Sequence, residues 1–417
     1  MKQTVLELAQ EEWAWEEFIQ YKIAKQHLSQ KEAEEFLNFI DQKRYLPICE
    51  LWREGVFPTQ CPVKSIVNKE GTDKKRRVYT YSGDEGIFLK FIAFQMFRYD
   101  DYLMDNCYAF RRNRGVQDAI KKIENTARIE KKWCLKLDIS DYFNSIDTEL
   151  LLRKLAFIRD EDPGLYQLFD RILSNKRVLW NGQLVAEEHG AMAGIPLAPF
   201  FANIYLRDGD SYFAERNVVY FRYSDDILIF EESPEALIQR RNELEKILQV
   251  HHLNVNPEKV SVSAPGEYWE YLGFGYRDGS IDLSENTIRK TKARIKRKAE
   301  ALRRWQRKKG LAEEKAAIGL IHAMNRKFYG GNQGEEDKDF TWSRWFFPCL
   351  TTDRGLKQID SCLQEYIRYA VTGRHYKGNY RIGYQKIKQW GYRSLVHEFW
   401  KGKHDNQKEK VALSEKR

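Results

Sequence analysis

Over residues 1 to 55 the apolar positions recur at mixed helical spacing among many glutamates, first as Leu6, Leu8, Trp13, Trp15, Phe18 and Ile19, then as Phe36, Leu37 and Ile40. Side chains three and four apart share a helix face, so this spacing predicts helices. From about 56 to 285 the pattern changes. Val78-Tyr79-Thr80-Tyr81, Trp133-Cys134-Leu135-Lys136-Leu137, Val218 to Arg222 and Ile227 to Phe230 are short β-prone runs, while Ile87 to Tyr99 and Leu237 to Val250 keep helical spacing. The mixture predicts an α+β body. Beyond it, Ile288, Ile295 and Leu302 fall seven apart, with Ala299 and Trp305 filling the same stripe, which predicts a long helix with one narrow apolar face. A Gly-rich, charged loop, Gly330 to Asp339, separates it from a segment rich in Trp, Tyr and Arg, Phe340 to Trp400; the polar stretch 401–417 reads as a disordered tail.

Charge changes this picture by being unevenly placed. The chain of 417 residues carries 70 Lys+Arg against 61 Asp+Glu, a net +9 that invites a polyanionic partner without naming one. Residues 1–50 hold ten acids against six bases, so that end reads as a packing cap or a self-association element. Residues 286–328 hold fifteen Lys/Arg against three Glu, +12, more than the whole chain's excess. A solvated helix face normally carries both signs as paired neighbours; this one is nearly single-signed and points to phosphate contact. No apolar run approaches a membrane span, and the six cysteines show no CxxC pair or zinc spacing, so they read as reduced, packing thiols. The first twelve residues lack the basic start and apolar stretch of a secretory signal, and a cytoplasmic location follows by default.

The chemistry concentrates in carboxylates. In Phe221-Arg222-Tyr223-Ser224-Asp225-Asp226-Ile227-Leu228-Ile229-Phe230 two adjacent acids sit between two β-prone runs, the layout of a hairpin whose turn presents them. Asp-Asp turns are also common as plain turns. A further acid, Asp138, ends the strand run 133–137, where a charge is costly unless it binds something. A divalent metal is such a partner: two Mg²⁺ ions about 4 Å apart, held by carboxylates from different elements, can deprotonate a 3′-hydroxyl and stabilise a leaving pyrophosphate.

These residues stand in runs that resemble reverse transcriptases over about residues 60 to 280. Asp138-Ile139-Ser140-Asp141-Tyr142-Phe143 resembles the palm's first catalytic motif, and Tyr223-Ser224-Asp225-Asp226 the Y-x-D-D motif. The run Asn106 to Ile120, with Arg111 and Arg112, is similar to the fingers–palm element of group II intron and related bacterial enzymes. Gly194-Ile195-Pro196-Leu197-Ala198-Pro199 and the residues to Leu206 match the template and nucleotide-binding motif; Leu253 to Lys259 and Tyr271-Leu272-Gly273-Phe274 match the two motifs that close the palm. The resemblance implies a right-hand polymerase fold: a helical N-terminal extension (1–55), fingers (56–130), palm (131–285) with a fingers insertion at about 148–190, a basic helical thumb (286–335), a helical RNA-binding extension (336–400) and the tail. It also implies roles. Asp138, Asp225 and Asp226, with the Ile139 carbonyl nearby, would hold two Mg²⁺ ions, for which Mn²⁺ can substitute. Lys259 would sit by the pyrophosphate, and Arg77 would clasp the triphosphate. Gly194 and Pro196 would bind the nucleotide, and Phe143 would exclude a ribose 2′-hydroxyl and so favour dNTPs. Lys290, Arg294, Arg297, Lys298 and Arg304, with Arg111 and Arg112, would contact nucleic acid. One departure stands out: related enzymes often have Gln where Ala193 stands, which implies altered substrate positioning or fidelity.

Within that family the C-terminal stretch, including Trp342 to Pro348 and Gly391 to Val396, resembles the stand-alone, defence-associated unknown-group enzymes of bacteria, most like the second or ninth defence types. That implies a structured non-coding RNA as template and scaffold, a cDNA product and a role against phage, with no membrane partner; oligomeric state and primer stay open. The rings Trp342, Trp345, Tyr376, Tyr380 and Tyr384, with Arg381, suit either stacking on unpaired bases or packing of a helical core. The alternative is a retron-like or group II intron-derived enzyme or maturase whose main role is RNA binding. Retron enzymes carry a Val-Thr-Gly triplet by the thumb; Val371-Thr372-Gly373 lies well beyond the basic helix in sequence and reads as coincidence.

Overall fold

The computed structural model describes residues 3–25, 28, 30–68, 75–330 and 341–414, with 25, 30 and 406–414 described in backbone only. It divides into two units, Met1–Pro265 and Gly266–Arg417.

The first unit opens with the helices Val5–Leu8, Glu12–Lys25, Gln30–Asp41 and Tyr45–Arg53. Trp15 explains why they pack. Its fully buried ring stacks on Phe91 (4.1 Å between centroids) and Tyr45 (5.1 Å), and its indole N–H donates to the Ala9 carbonyl at 2.9 Å. Each aromatic pair adds about 0.5–1.5 kcal/mol beyond area burial. Phe91 belongs to the helix Gly83–Gln95, whose Ile87, Phe88, Leu89 and Ile92 are also buried, so the acidic leading segment caps a helix apolar nearly all round.

Eight strands among the described residues of this unit form two sheets: β1 Val63–Asn68, β2 Lys75–Thr80, β3 Trp133–Asp138, β4 Arg177–Trp180, β5 Gln183–Ala186, β6 Val219–Tyr223, β7 Asp226–Glu231 and β8 Ser261–Ser263. One sheet has the order β2-β1-β4-β5, the other β6-β7-β3-β8. The stretch 148–190 contributes the helices Thr148–Lys154, Ala156–Glu161 and Pro163–Ser174 and then the hairpin β4–β5, whose first strand joins β1 in parallel through Val63 and Leu179. In β7 Ile227 to Phe230 are all buried, as expected where both faces of a strand are covered. The helix Pro234–Val250 packs on β3 and β7 through Leu237, Leu244 and Leu248.

In the second unit β9 Trp269–Tyr271, β10 Phe274–Arg277 and β11 Ser280–Leu283 form a small antiparallel sheet, order β11-β10-β9. The 25-residue helix Glu285–Lys309 follows, opened by Ser284, whose Oγ accepts from the Thr287 N–H at 3.0 Å, and closed by Gly310 at φ +61°. Only a residue without Cβ takes that backbone conformation freely. Two sequence expectations change here. The buried stripe is Ile288, Thr291, Ile295, Ala299, Arg303 and Gln306; Trp305 lies outside it, 47% exposed, because position 305 is rotated off the face that 299 and 306 share. The helices Glu285–Lys309, Glu314–Tyr329 and Arg354–Thr372 lie against one another, and the Arg303 guanidinium donates to the Ala370 carbonyl at 2.9 Å and to the Val371 carbonyl. Of the stretch expected as a disordered tail, 401–414 continues the helix Leu395–Ser414 and 415–417 lies outside the described residues; the helix start is fixed by Asp360, whose carboxylate accepts the Leu395 and Val396 N–H groups at 2.9 and 3.1 Å. The Gly-rich loop expected over Gly330 to Asp339 lies, beyond Gly330, outside the described residues. Among the described residues no helix is long and apolar enough to cross a membrane, and all six cysteines are free thiols.

Candidate active site

Strand register assembles the three acids. Asp138, the last residue of β3, pairs directly with Asp226, the first of β7; Tyr223 pairs with the same Asp226, leaving Ser224-Asp225 as a two-residue turn. Residues opposite one another in an antiparallel pair project on the same face, so the carboxylates of 138 and 226 share a face and Asp225 sits at the tip. The Ile139 N–H donates to the Asp225 carbonyl at 3.2 Å and the Asn256 N–H to the Asp138 carbonyl at 2.8 Å, which ties the hairpin tip and the 254–259 segment to the end of β3. Ser224 holds φ +61°, unfavourable for a residue with a Cβ by about 1–2 kcal/mol.

Burial makes this arrangement electrostatically costly. Asp138 is 4% exposed, and its Oδ2 meets the Lys259 ammonium at 2.5 Å. Burial, then the Asp138 charge, raises the Asp225 carboxyl above its usual range. Burial pushes Asp226 up to about 6, with Asp225 and Asp138 adding to the shift and Lys136 opposing it. Like charges gathered in a poorly solvated corner call for a cation. Among the described residues no three acidic, His or Cys groups converge closely enough to hold a metal by themselves. The ligands this corner offers are hard carboxylate oxygens, the kind that suit hard divalent cations.

Beneath the hairpin lies an ion pair that sequence reading did not single out. Arg222 on β6 and Asp210 on the helix Arg207–Glu215 are both 0% exposed and meet in a bidentate contact, Nε to Oδ1 at 2.7 Å and Nη2 to Oδ2 at 2.5 Å. Burial pushes the guanidinium's proton affinity down, but Asp210 more than offsets it and holds the group well above its ordinary range. Arg222 also donates to the Ser224 carbonyl at 3.4 Å, inside the acid-bearing turn. The signal was present: a charge between Phe221 and Tyr223 in a buried strand is as costly as Asp138.

On the other flank, three segments are joined by hydrogen bonds. The Ala191 N–H donates to the Phe143 carbonyl at 2.8 Å, the Ala193 N–H to Asn144 Oδ1 at 3.1 Å, and the Tyr79 N–H of β2 to the Ala193 carbonyl at 2.8 Å. Gly194 has φ +108°, and a Cβ there would meet the Tyr79 carbonyl oxygen at 2.8 Å, so the close approach it permits is to the chain's own β2. Gly190, not singled out from sequence, is as constrained: φ +55°, with a Cβ 2.6 Å from the Phe143 carbonyl oxygen. Arg77 of β2 donates to Asp141 Oδ2 at 2.8 Å and lies 3.5 Å from Glu187, which Lys64 also meets at 2.6 Å. Its neighbour Arg76 contributes a positive field at Asp225. The half-buried Phe143 ring lies 6.2 Å from Phe110, itself 6.3 Å from Tyr223, so aromatic rings border the acids. Pro196 and Gly194 line a neighbouring cavity.

The residues expected to contact nucleic acid divide. Lys290, Arg297, Lys298 and Arg304 are exposed on the helix Glu285–Lys309; Arg294 is half-buried. Arg111 spends Nη1 and Nη2 on the carbonyls of Met104, Cys107 and Asp100 at 2.6–3.2 Å, so it braces its own loop and offers no free fork to a phosphate. Arg112 pairs with Glu17 of the N-terminal helix at 2.8 Å. Of the C-terminal rings, Trp342 is buried against Phe328 and Phe346, whereas Tyr376, Tyr380 and Tyr384 are exposed.

Residues 67–276 match the family described as "Reverse transcriptase (RNA-dependent DNA polymerase)", in keeping with a polymerase fold bearing helical additions at both ends. Among curated proteins, the chain is 33% identical over 117 residues to the retron Ec83 reverse transcriptase of Escherichia coli, covering 26% of this chain and 35% of that protein. It is 20% identical over 174 residues to the retron Ec86 reverse transcriptase of Escherichia coli, covering 41% and 50%. The chain thus spans between about a third and a half of the length of the curated relatives it matches. Among solved structures it is similar to apo telomerase from Candida tropicalis truncated from its C-terminal domain (TM-score 0.41, 14% identity, 54% of this chain and 55% of that one). It is also similar to telomerase from Candida albicans with a fragment of telomeric RNA (TM-score 0.42, 13% identity, 84% and 68%).

Proposed function

Because the chain belongs to the reverse transcriptase (RNA-dependent DNA polymerase) family, we propose that it is an RNA-directed DNA polymerase that copies a structured non-coding RNA into cDNA from dNTPs and acts against phage. The observation that carries the reading is the register that sets Asp138 opposite Asp226 with Asp225 in the adjoining turn. In this reading Asp138, Asp225 and Asp226 are the protein's ligands for two divalent ions, Mg²⁺ or Mn²⁺. When bound, such ions activate the primer 3′-hydroxyl and stabilise the leaving pyrophosphate. Until then Lys259 partly neutralises Asp138, and with substrate present its ammonium turns to the pyrophosphate. Arg77 exchanges Asp141 for the triphosphate, with Arg76 beside it. The Phe143 ring leaves a deoxyribose room and a ribose 2′-hydroxyl none. Lys290, Arg297, Lys298 and Arg304 follow the template–primer backbone by charge, positioning it without reading sequence.

A second reading, a retron-type enzyme, gains from two observations. The curated relatives are retron reverse transcriptases. Val371-Thr372-Gly373, distant in sequence from the basic helix, ends the helix Arg354–Thr372 that packs on it, and Val371 accepts from Arg303. Distance along the chain is therefore no argument against the triplet.

The test is the double change Asp225→Ala/Asp226→Ala. It should abolish dNTP incorporation on a primed RNA template and, in cells, protection from phage; protection that survives it refutes the polymerase reading. Sequencing the RNA and DNA that co-purify with the protein separates the two readings, since a retron-type enzyme should carry DNA joined to its RNA.

A further inference from the structure

Glu187 and Glu188 stand together directly after β5, and the structure separates them. Glu188 is exposed and lies 4.0 Å from Lys176, an ordinary solvated pair. The Glu187 side chain is only 12% exposed and gathers three donors: Lys64 Nζ at 2.6 Å, Tyr79 Oη at 2.8 Å and, at 3.5 Å, Arg77 Nη1. Strand register explains the convergence. Lys64 on β1 pairs directly with Tyr79 on β2, and Arg77 stands two residues before Tyr79, so all three project from one face of the sheet. The Glu187 N–H donates to the Lys176 carbonyl at 2.9 Å, which closes the β4–β5 hairpin at its base, and β4 pairs with β1. Burial alone would raise the Glu187 carboxyl, but the hydrogen bonds from Lys64 and Tyr79 and the charges of Lys64 and Arg77 outweigh it and hold the group below its usual range. Burial, then the Glu187 hydrogen bond, raises the Tyr79 hydroxyl above its ordinary range, so it stays a donor. Lys64 is held further by the Trp180 ring, 4.4 Å from its ammonium.

The two acidic partners of Arg77 therefore differ in kind. Asp141, which takes Nη2, is exposed, and an exposed pair fixes a side chain weakly. Glu187, on the Nη1 side, is buried, little screened by salt and held in turn by Lys64 and Tyr79. Without its carboxylate, Lys64 and Arg77 would be like charges on one sheet face, and Arg77 would swing toward Asp141 and solvent. We propose that Glu187 is a positioning residue for nucleotide use: it touches no nucleotide, and by holding the Nη1 side of Arg77 to the sheet it leaves Nη2 aimed at the incoming triphosphate. The consequence for dNTP use rests on the polymerase reading; the fixing of Arg77 does not. Charge neutralisation alone predicts the opposite sign, since a site stripped of one carboxylate is more positive and would bind a triphosphate more tightly.

The test uses the full chain with dTTP, Mg²⁺ and oligo(dT)-primed poly(rA), and in parallel a titration of dTTP with Mg²⁺ into the protein without primer. Glu187→Gln, which keeps the shape and removes the charge, should raise KM for dTTP about tenfold, the worth of one charge-assisted contact, with kcat changed less than about threefold. Glu187→Asp, which keeps the charge on a shorter stem, should recover part of the loss. In an Arg77→Gln background, Glu187→Gln should shift KM less than about twofold, because the side chain it acts through is gone. A KM unchanged or lowered in Glu187→Gln, a fall in kcat at constant KM, or the full shift persisting without Arg77 overturns the proposal. Melting within about 2 °C of the parent shows that a variant is folded; if Glu187→Gln is not, Glu187→Asp decides, by a KM shift that the Arg77→Gln background abolishes. Incorporation and binding separate the two claims. A parent that incorporates dTTP and is matched by its Glu187 variants sinks the Glu187 assignment alone. A parent that does not incorporate, but whose dTTP binding weakens about tenfold in Glu187→Gln and only when Arg77 is present, sinks the polymerase reading alone. Neither incorporation nor any difference in binding sinks both.

Discussion

Replacing Asp210 with Ala removes one partner of the most deeply buried ion pair described above. Three contacts vanish: Arg222 Nε and Nη2 at 2.7 and 2.5 Å, and the Tyr220 hydroxyl at 3.2 Å. The guanidinium keeps its charge, since Arg does not deprotonate in proteins, and its remaining neighbours, Asn203, the Ser224 carbonyl and the Cys107 sulfur at 3.1–3.5 Å, are neutral groups that do not replace the lost carboxylate. Leaving one member of a buried pair uncompensated costs about 3–5 kcal/mol, which in a unit of this size lowers the melting temperature by roughly 6–20 °C. Replacing both members with apolar residues of similar volume, Asp210→Leu/Arg222→Met, should recover most of that loss, because the desolvation of two charges is avoided as well. The assay is urea unfolding of the three proteins, followed by tryptophan fluorescence and circular dichroism. Because Arg222 also holds the Ser224 carbonyl, the double variant should regain stability yet incorporate dNTPs more slowly than the parent. A single variant that loses less than about 1 kcal/mol, or a double variant less stable than the single, refutes the reasoning.

Other outcomes follow from the same geometry. Phe143→Ala should admit ribonucleotides; an unchanged ratio of rNTP to dNTP incorporation removes Phe143 from the gate. In chelator, Asp226 should make stability fall as pH rises: its folded pKa of about 6 lies above the usual 3.8, so the stabilisation is full below about 4 and lost through about 6, of order 1–3 kcal/mol. Asp226→Asn should flatten that slope in urea titrations, and parallel slopes for the two proteins exclude the assignment. Changing Lys290, Arg297, Lys298 and Arg304 together to Gln should reduce the slope of log affinity for an RNA–DNA duplex against log salt by about 3; a loss of affinity with an unaltered slope would place those side chains away from phosphate.

What was legible in the sequence is what physical chemistry makes local. The acids stood out because a charge at the end of a β run is anomalous wherever it occurs; hairpin logic placed Asp225 and Asp226 together at a turn, while Asp138 joined them only through the resemblance to a polymerase palm. Long-range partners were not legible. Nothing near Asp210 announces that Arg222 is its counterion, and Arg111 looks like a phosphate ligand until its carbonyl partners are seen. Trp305 was misassigned because it stands three residues beyond Leu302, at the edge of the stripe, whereas Gln306, seven residues beyond Ala299, continues the buried face. That the basic helix buries its stripe against a helix beginning only at Arg354 was likewise not legible from either segment alone.

The parallel pairing of β1 with β4 bears on synthesis. The sheet begun at residue 63 cannot close before residue 180 has been made, β3 gains its partner β8 only at 261–263, and the Val5 N–H waits for Asp162, to which it donates at 2.7 Å. At ribosomal speeds of about 5–20 residues per second, the opening helices spend roughly 8–30 s without the groups they eventually cap. Trp15 and Phe18 wait less long, roughly 4–16 s, until their ring partners, which end at Phe94, have been made. For this chain the vulnerable moment is therefore on the ribosome, and chaperone dependence during translation, more than resistance to unfolding afterwards, should set how much protein a cell obtains.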